Sequence, residues 1–108
     1  MIYEQRIYDA MPGKLPALLK SFENHTLALW EKHGIRQAGF FTTIVGESYL
    51  RLTYFLAWDS MAEREKKWHA FATDPEWIKV RDESERDGPL LANISNQLLA
   101  PTPFSSVK

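Results

Sequence analysis

The 108 residues carry a formal net charge of -1, with 44% hydrophobic and 25% charged side chains, a composition that fits one globular domain and excludes a disordered chain. So balanced a charge leaves no electrostatic footprint for nucleic acid or anionic lipid, and neither is expected as a partner. Cys is absent, which excludes disulfides, thiol nucleophiles and Cys-ligated metals; no basic segment runs into a membrane-length apolar stretch, so a cytoplasmic location is expected.

Ile2 to Asp9 alternates Ile and Tyr with Glu, Gln and Arg and reads as a first strand, closed by the turn Met11-Pro12-Gly13. From Lys14, Leu15, Leu18, Leu19, Phe22, Leu29 and Trp30 recur at helical spacing. Pro16 falls in the first turn, where a missing amide hydrogen costs little, and Gly34 is the expected left-handed cap behind Lys32 and His33. Gln37 to Val45 is nearly all β-formers and predicts a second strand, joined through Gly46-Glu47-Ser48 to a third. That third strand, Leu50 to Trp58, is rich in aromatic and aliphatic residues without Gly or Pro, which predicts burial on both faces.

Ser60 followed by Glu63 is a capping box, so a helix is expected to start at once, with the Glu63 carboxylate reaching back to the Ser60 amide. Its apolar stripe of Met61, Trp68, Phe71 and Ala72 is interrupted at Arg64 and Glu65. Asp74-Pro75 opens a further short helix that buries Trp77 and Val80. Arg81 to Gly88 is a charged helix end and loop. Leu90 to Ala100 returns to strand character until Pro101-Thr102-Pro103 stops it, leaving about 101–108 as a tail.

The order strand, helix, strand, strand, helix, strand predicts an α+β, ferredoxin-like β-α-β-β-α-β sandwich: a four-stranded antiparallel sheet with its helices on one face. On the third strand Leu52, Tyr54, Leu56 and Trp58 point one way and Thr53, Phe55 and Ala57 the other, so an apolar face is expected to remain whichever side the helices take. Covering it with a second copy predicts a two-fold homodimer.

At Tyr8-Asp9-Ala10-Met11-Pro12-Gly13-Lys14-Leu15, at His33 with Gly39-Phe40-Phe41 and Gly46-Glu47, at Ala57-Trp58-Asp59-Ser60 leading to Arg64-Glu65, and at Leu98-Leu99-Ala100-Pro101, the chain resembles the NIPSNAP family within the dimeric α/β-barrel group. The resemblance spans almost all of 1–108 as a single domain. It implies a ferredoxin-like protomer, a homodimer with a barrel at its centre, and a poorly defined activity. The wider group includes small monooxygenases, haem-degrading enzymes and isomerases. Where many relatives are similar to a His-Leu-Trp-Ala-Tyr run, this chain has Tyr54-Phe55-Leu56-Ala57-Trp58. A role for that His would be lost here or passed to a phenol, a poor base at neutral pH with an unperturbed pKa of about 10.

Among chemical candidates, His25, His33 and His69 show no metal-ligand spacing, and neither metal nor cofactor is expected. His33 is explained as a helix cap; His25, beside the apolar stripe, is retained for a ligand pocket. Arg64 either joins a solvent-exposed charge lattice or holds a carboxylate at the mouth of the gap between helix and sheet. Tyr54, Trp58 and Trp68 are either core aromatics or the lining for a small apolar or aromatic ligand. Arg6 and Arg51 are edge charges or polar groups aimed into a cavity. The expected ligand-binding set is therefore Tyr54, Trp58, Arg64, Trp68 and His25, in a binding dimer. The alternatives are a cofactor-independent monooxygenase or isomerase, and a structural dimer acting through protein partners.

Overall fold

A computed structural model describes residues 1–108. Its elements are β1 (Ile2–Ala10), α1 (Leu15–Ser21), a π-helical turn (Phe22–Thr26), α2 (Leu27–His33), β2 (Arg36–Thr42), β3 (Arg51–Trp58), α3 (Met61–Ala72), α4 (Pro75–Ser84) and β4 (Leu91–Leu99). The strands form one antiparallel sheet in the order β2-β3-β1-β4. Helices on one side complete the ferredoxin-like sandwich. The molecule measures 45 × 36 × 19 Å, and its thin dimension is that of a sheet plus a single layer of helix. No helix is long and apolar enough to cross a membrane.

Strand alternation decides what the helices cover. On β3, Leu52, Tyr54, Leu56 and Trp58 are buried beneath the helices together with Leu18, Phe22, Leu29, Trp30 and Phe71. Leu18, Phe22 and Thr26 are spaced by fours, which a regular helix would let drift around its axis. The wider π turn, in which the Leu27 amide bonds the Phe22 carbonyl, keeps them in line. Trp30 Nε1 is the one buried side-chain polar atom without a partner, among the rings of Phe22, Phe40, Tyr54 and Phe71.

Several expectations change. β3 is buried on one face only, because Thr53, Phe55 and Ala57 look outward and remain half-buried. β2 ends at Thr42, so Ile44 and Val45 lie in the connection to β3, each 88% exposed, despite their strand propensity. Met61 is exposed because it opens the first turn of α3, ahead of the turns that reach the core. The outer sheet face is only partly apolar. Tyr3, Phe41, Phe55 and Leu99 occupy one end, while Gln5, Asp9, Arg51, Thr53, Ser95 and Gln97 surround Ile7 over the rest, with Arg51 Nε donating to Asp9 Oδ1 at 2.8 Å.

Both outer strands carry a register irregularity, one between Gln37 and Phe40 on β2 and one where β4 skips Ala92 against β1. In β2 the extra residue returns Phe40 to the inner face beside Tyr54, with ring centroids 4.8 Å apart. Gly39 makes this geometry with φ at +115°, and a Cβ there would sit 2.9 Å from the Phe41 ring. Gly39→Ala is therefore expected to lower stability by about 1–2 kcal/mol, read as a lower denaturant midpoint at unchanged slope.

Candidate functional site

The interior of the sandwich contains a polar cluster where β1 meets α3. Glu4, Arg6 and Tyr8 share the inward parity of β1, so two charged side chains and a phenol lie under the helices. Glu4 is completely buried, and its carboxylate accepts from five donors. Arg64 Nε approaches Oε1 at 2.8 Å and Arg64 Nη2 approaches Oε2 at 3.1 Å. Arg6 Nη1 (2.9 Å) and Asn96 Nδ2 (2.8 Å) complete Oε2, and Trp58 Nε1 donates to Oε1 at 3.1 Å. Burial alone would raise the Glu4 pKa, but the bonds from Arg64, Asn96 and Arg6 prevail and hold it at about 2.

Arg6 continues the chain outward. Its Nε donates to Tyr54 Oη at 2.8 Å, its Nη2 to Tyr8 Oη at 3.3 Å, and the two hydroxyls are 2.9 Å apart. The guanidinium lies 4.6 Å from the centroid of the Trp68 ring, a cation–π contact. Burial opposes the Arg6 charge, yet Tyr54, Tyr8 and Glu4 raise its pKa above the ordinary arginine value. Burial, followed by Tyr8, pushes the Tyr54 phenol well above its usual range, so it keeps its proton at neutral pH. Two guanidiniums face one carboxylate, and the cluster carries one positive charge in excess.

Capping places Arg64. Ser60 Oγ accepts from the Glu63 amide at 3.1 Å, while the Glu63 carboxylate accepts from the amide of Asp59, one residue before the expected Ser60. One turn into α3, Arg64 then points down at Glu4, which raises its pKa. The interrupted stripe on α3 is thus the place where the helix meets a buried acid.

The helix layer leaves the inner side of β4 largely bare. There Ile94 pairs with Tyr8, Asn96 with Arg6 and Leu98 with Glu4, and all three β4 residues stay exposed. A cleft of about 140 Å³ opens at one end, lined by Tyr8, Ser21, Phe22, Thr26, Trp77, Leu90 and Ile94, with Arg81 and Glu85 also in its wall.

Of the residues singled out from sequence, Tyr54, Trp58, Arg64 and Trp68 come together around Glu4 and Arg6. His25 does not. It sits exposed on the π turn, in a shallow groove beside Val80 and Glu83. His33 is the last residue of α2, ahead of the cap at Gly34, and its Nε2 lies 2.7 Å from Asp74 Oδ2, tying α2 to the start of α4. No three His, Asp or Glu side chains gather as a metal site would require. Glu4, Tyr8 and Asn96 were missed. The signal for Glu4 was the pairing of two oddities, charges at positions 4 and 6 of one β1 face and a charged break in the stripe of α3, although the sequence leaves open which face turns inward.

The family model described as NIPSNAP matches residues 3–106. Protein Atu4242 from Agrobacterium tumefaciens is 26% identical, with 100% of each chain covered and a TM-score of 0.88. A NIPSNAP-like domain protein from Burkholderia xenovorans is also 26% identical, with 96% of this chain and 87% of that one covered, at a TM-score of 0.85. A candidate antibiotic biosynthesis monooxygenase from Nitrosomonas europaea has 12% identity, 93% and 97% coverage and a TM-score of 0.65, a likeness of fold alone. No curated protein matches the chain.

Proposed function

The chain belongs to the NIPSNAP family, and from that premise we propose that it works as a cytoplasmic homodimer binding a small apolar or aromatic acid between its sheet and its helices. The observation that carries this reading is the cleft beside Tyr8, backed by a buried cluster with a surplus positive charge. Tyr54, Trp58, Arg64 and Trp68 do not line the cleft; they belong to the cluster that braces Tyr8 from behind. Arg64 already holds an internal carboxylate, so it supports the site from behind; His25 takes no part in it. Tyr54 holds its proton too firmly to act as a base, which favours binding over acid–base catalysis. Thermal melts across a panel of aromatic and aliphatic acids test the reading. A ligand at a hundred times its Kd adds about 2.7 kcal/mol of stability, and no shift with any acid would reject it.

The outer sheet face supports the homodimer. At its apolar end, Tyr3, Phe41, Phe55 and Leu99 combine with Pro101 and Val107 of the tail around a hollow of about 520 Å³. Only 16 of 108 residues are buried in the single chain, a small core that a sheet-to-sheet partner would enlarge. Sedimentation is expected to give twice the 12.5 kDa chain mass, and Phe55→Asp to return it to a single chain by placing a charge in the apolar end. A wild-type chain that stays single at high concentration would remove the dimer from the reading.

A further inference from the structure

We propose that Tyr8 is the group that meets the ligand's oxyanion, donating a hydrogen bond to the carboxylate of an aromatic acid whose ring lies in the cleft beside Ile94 and Trp77. This rests on the binding reading above and assigns the anion to a residue that the sequence did not single out.

The argument is one of counting hydrogens. Tyr8 and Tyr54 carry two hydroxyl hydrogens between them, and one bond joins their oxygens. Arg6 donates to both oxygens and accepts from neither. One hydroxyl hydrogen therefore has no protein acceptor. Tyr54 is wholly enclosed, whereas Tyr8 is half-buried and lines the cleft. The free hydrogen accordingly falls to Tyr8, where an incoming oxygen can take it.

Charge and size narrow the ligand. A second guanidinium beside a single carboxylate leaves the cluster behind Tyr8 positive, and Arg6 passes that polarisation to both phenols. An anionic acceptor is therefore favoured over a neutral one. Arg81 in the cleft wall adds a further positive group, partly offset by Asp82 at 3.5 Å and by Glu85. A cleft of about 140 Å³ is close to the roughly 150 Å³ of a cavity that holds benzene. One six-membered ring fits, and anything larger must extend along β4 over Ile94 and Leu98, whose apolar side chains are 48% and 39% exposed.

Calorimetric titration of the dimer with benzoate, salicylate and benzamide tests this in wild type and Tyr8→Phe. The expected result is binding of the two acids with benzamide weaker, and a loss of about tenfold or more in Tyr8→Phe. Tyr8→Phe keeps the ring and leaves the Arg6–Glu4 pair intact; it takes an acceptor from the Tyr54 hydroxyl, so an unchanged far-ultraviolet spectrum and a single cooperative melt, shifted somewhat lower, confirm its fold. Acids that bind wild type and Tyr8→Phe equally would overturn this inference and leave the binding reading standing. No binding of either acid by folded wild type would overturn the inference for single-ring acids, while the melts with the wider panel decide the binding reading separately.

Discussion

Glu4→Gln is expected to lower folding stability by about 3–5 kcal/mol, the usual result of removing one partner from a buried ion pair. The variant has almost the same shape as the native side chain, so the loss would be electrostatic. A carboxylate that accepts from Arg64, Arg6, Asn96 and Trp58 becomes an amide with one accepting oxygen and an NH₂ group facing guanidinium donors. Buried Arg6 and half-buried Arg64 then lose the carboxylate they share. For a domain of this size the melting temperature falls by roughly 15 °C or more. Denaturant melts at fixed protein concentration measure the change. Glu4→Gln combined with Arg64→Met should cost less than the sum of the two single changes, since each removes the other's reason for being there. A loss below about 1 kcal/mol in Glu4→Gln would mean that the cluster does not hold the sandwich together.

The second large effect is loss of stability in acid. Glu4 has a folded pKa of about 2 against an ordinary value of 4.5. Its contribution is therefore complete above about pH 4.5 and disappears as the pH falls through 2. The gap amounts to about 3 kcal/mol. Asp74 acts in the same direction, its carboxyl held well below the usual range by Lys32, His33 and the Glu76 amide. Melts at pH 7, 4.5, 3 and 2 should show little change over the first interval and a steep decline thereafter. Glu4→Gln isolates the share of the buried acid, because the variant keeps only the part of the slope that belongs to Asp74 and the surface carboxylates. Parallel curves for wild type and variant below pH 4.5 would show that the Glu4 carboxyl titrates alike in folded and unfolded chains.

Much of the architecture could be read locally because local signals agreed with one another. Ser60 and Glu63 capped α3, Pro75 opened α4, and Gly34 took the left-handed conformation with φ at +70° behind α2. The strands fell within a few residues of their expected ends, except where Ile44 and Val45 satisfied propensity but had no partner to pair with. What could not be read was the choice of face on β1. Ile2, Tyr8 and Ala10 on one side, and Tyr3 and Ile7 on the other, leave alternation undecided, so Glu4 and Arg6 could equally have faced water. Only the meeting of residues 4, 64 and 96 across the fold settles their environment. The candidate site was consequently found from its periphery, through Tyr54, Trp58, Arg64 and Trp68, while its central acid and its most accessible phenol were overlooked. The π turn had no sequence signal beyond a run of inward residues spaced by fours.

An open sheet has two rims, and here each rim strand is broken once, at Gly39 on β2 and at Ala92 on β4. A straight rim offers a continuous ladder of amide and carbonyl groups onto which further chains could add without limit. The interruptions bend both borders and shorten the stretch that any stray strand could follow. Growth into fibres is thereby discouraged at the sides of the molecule, and orderly association is left to its broad faces.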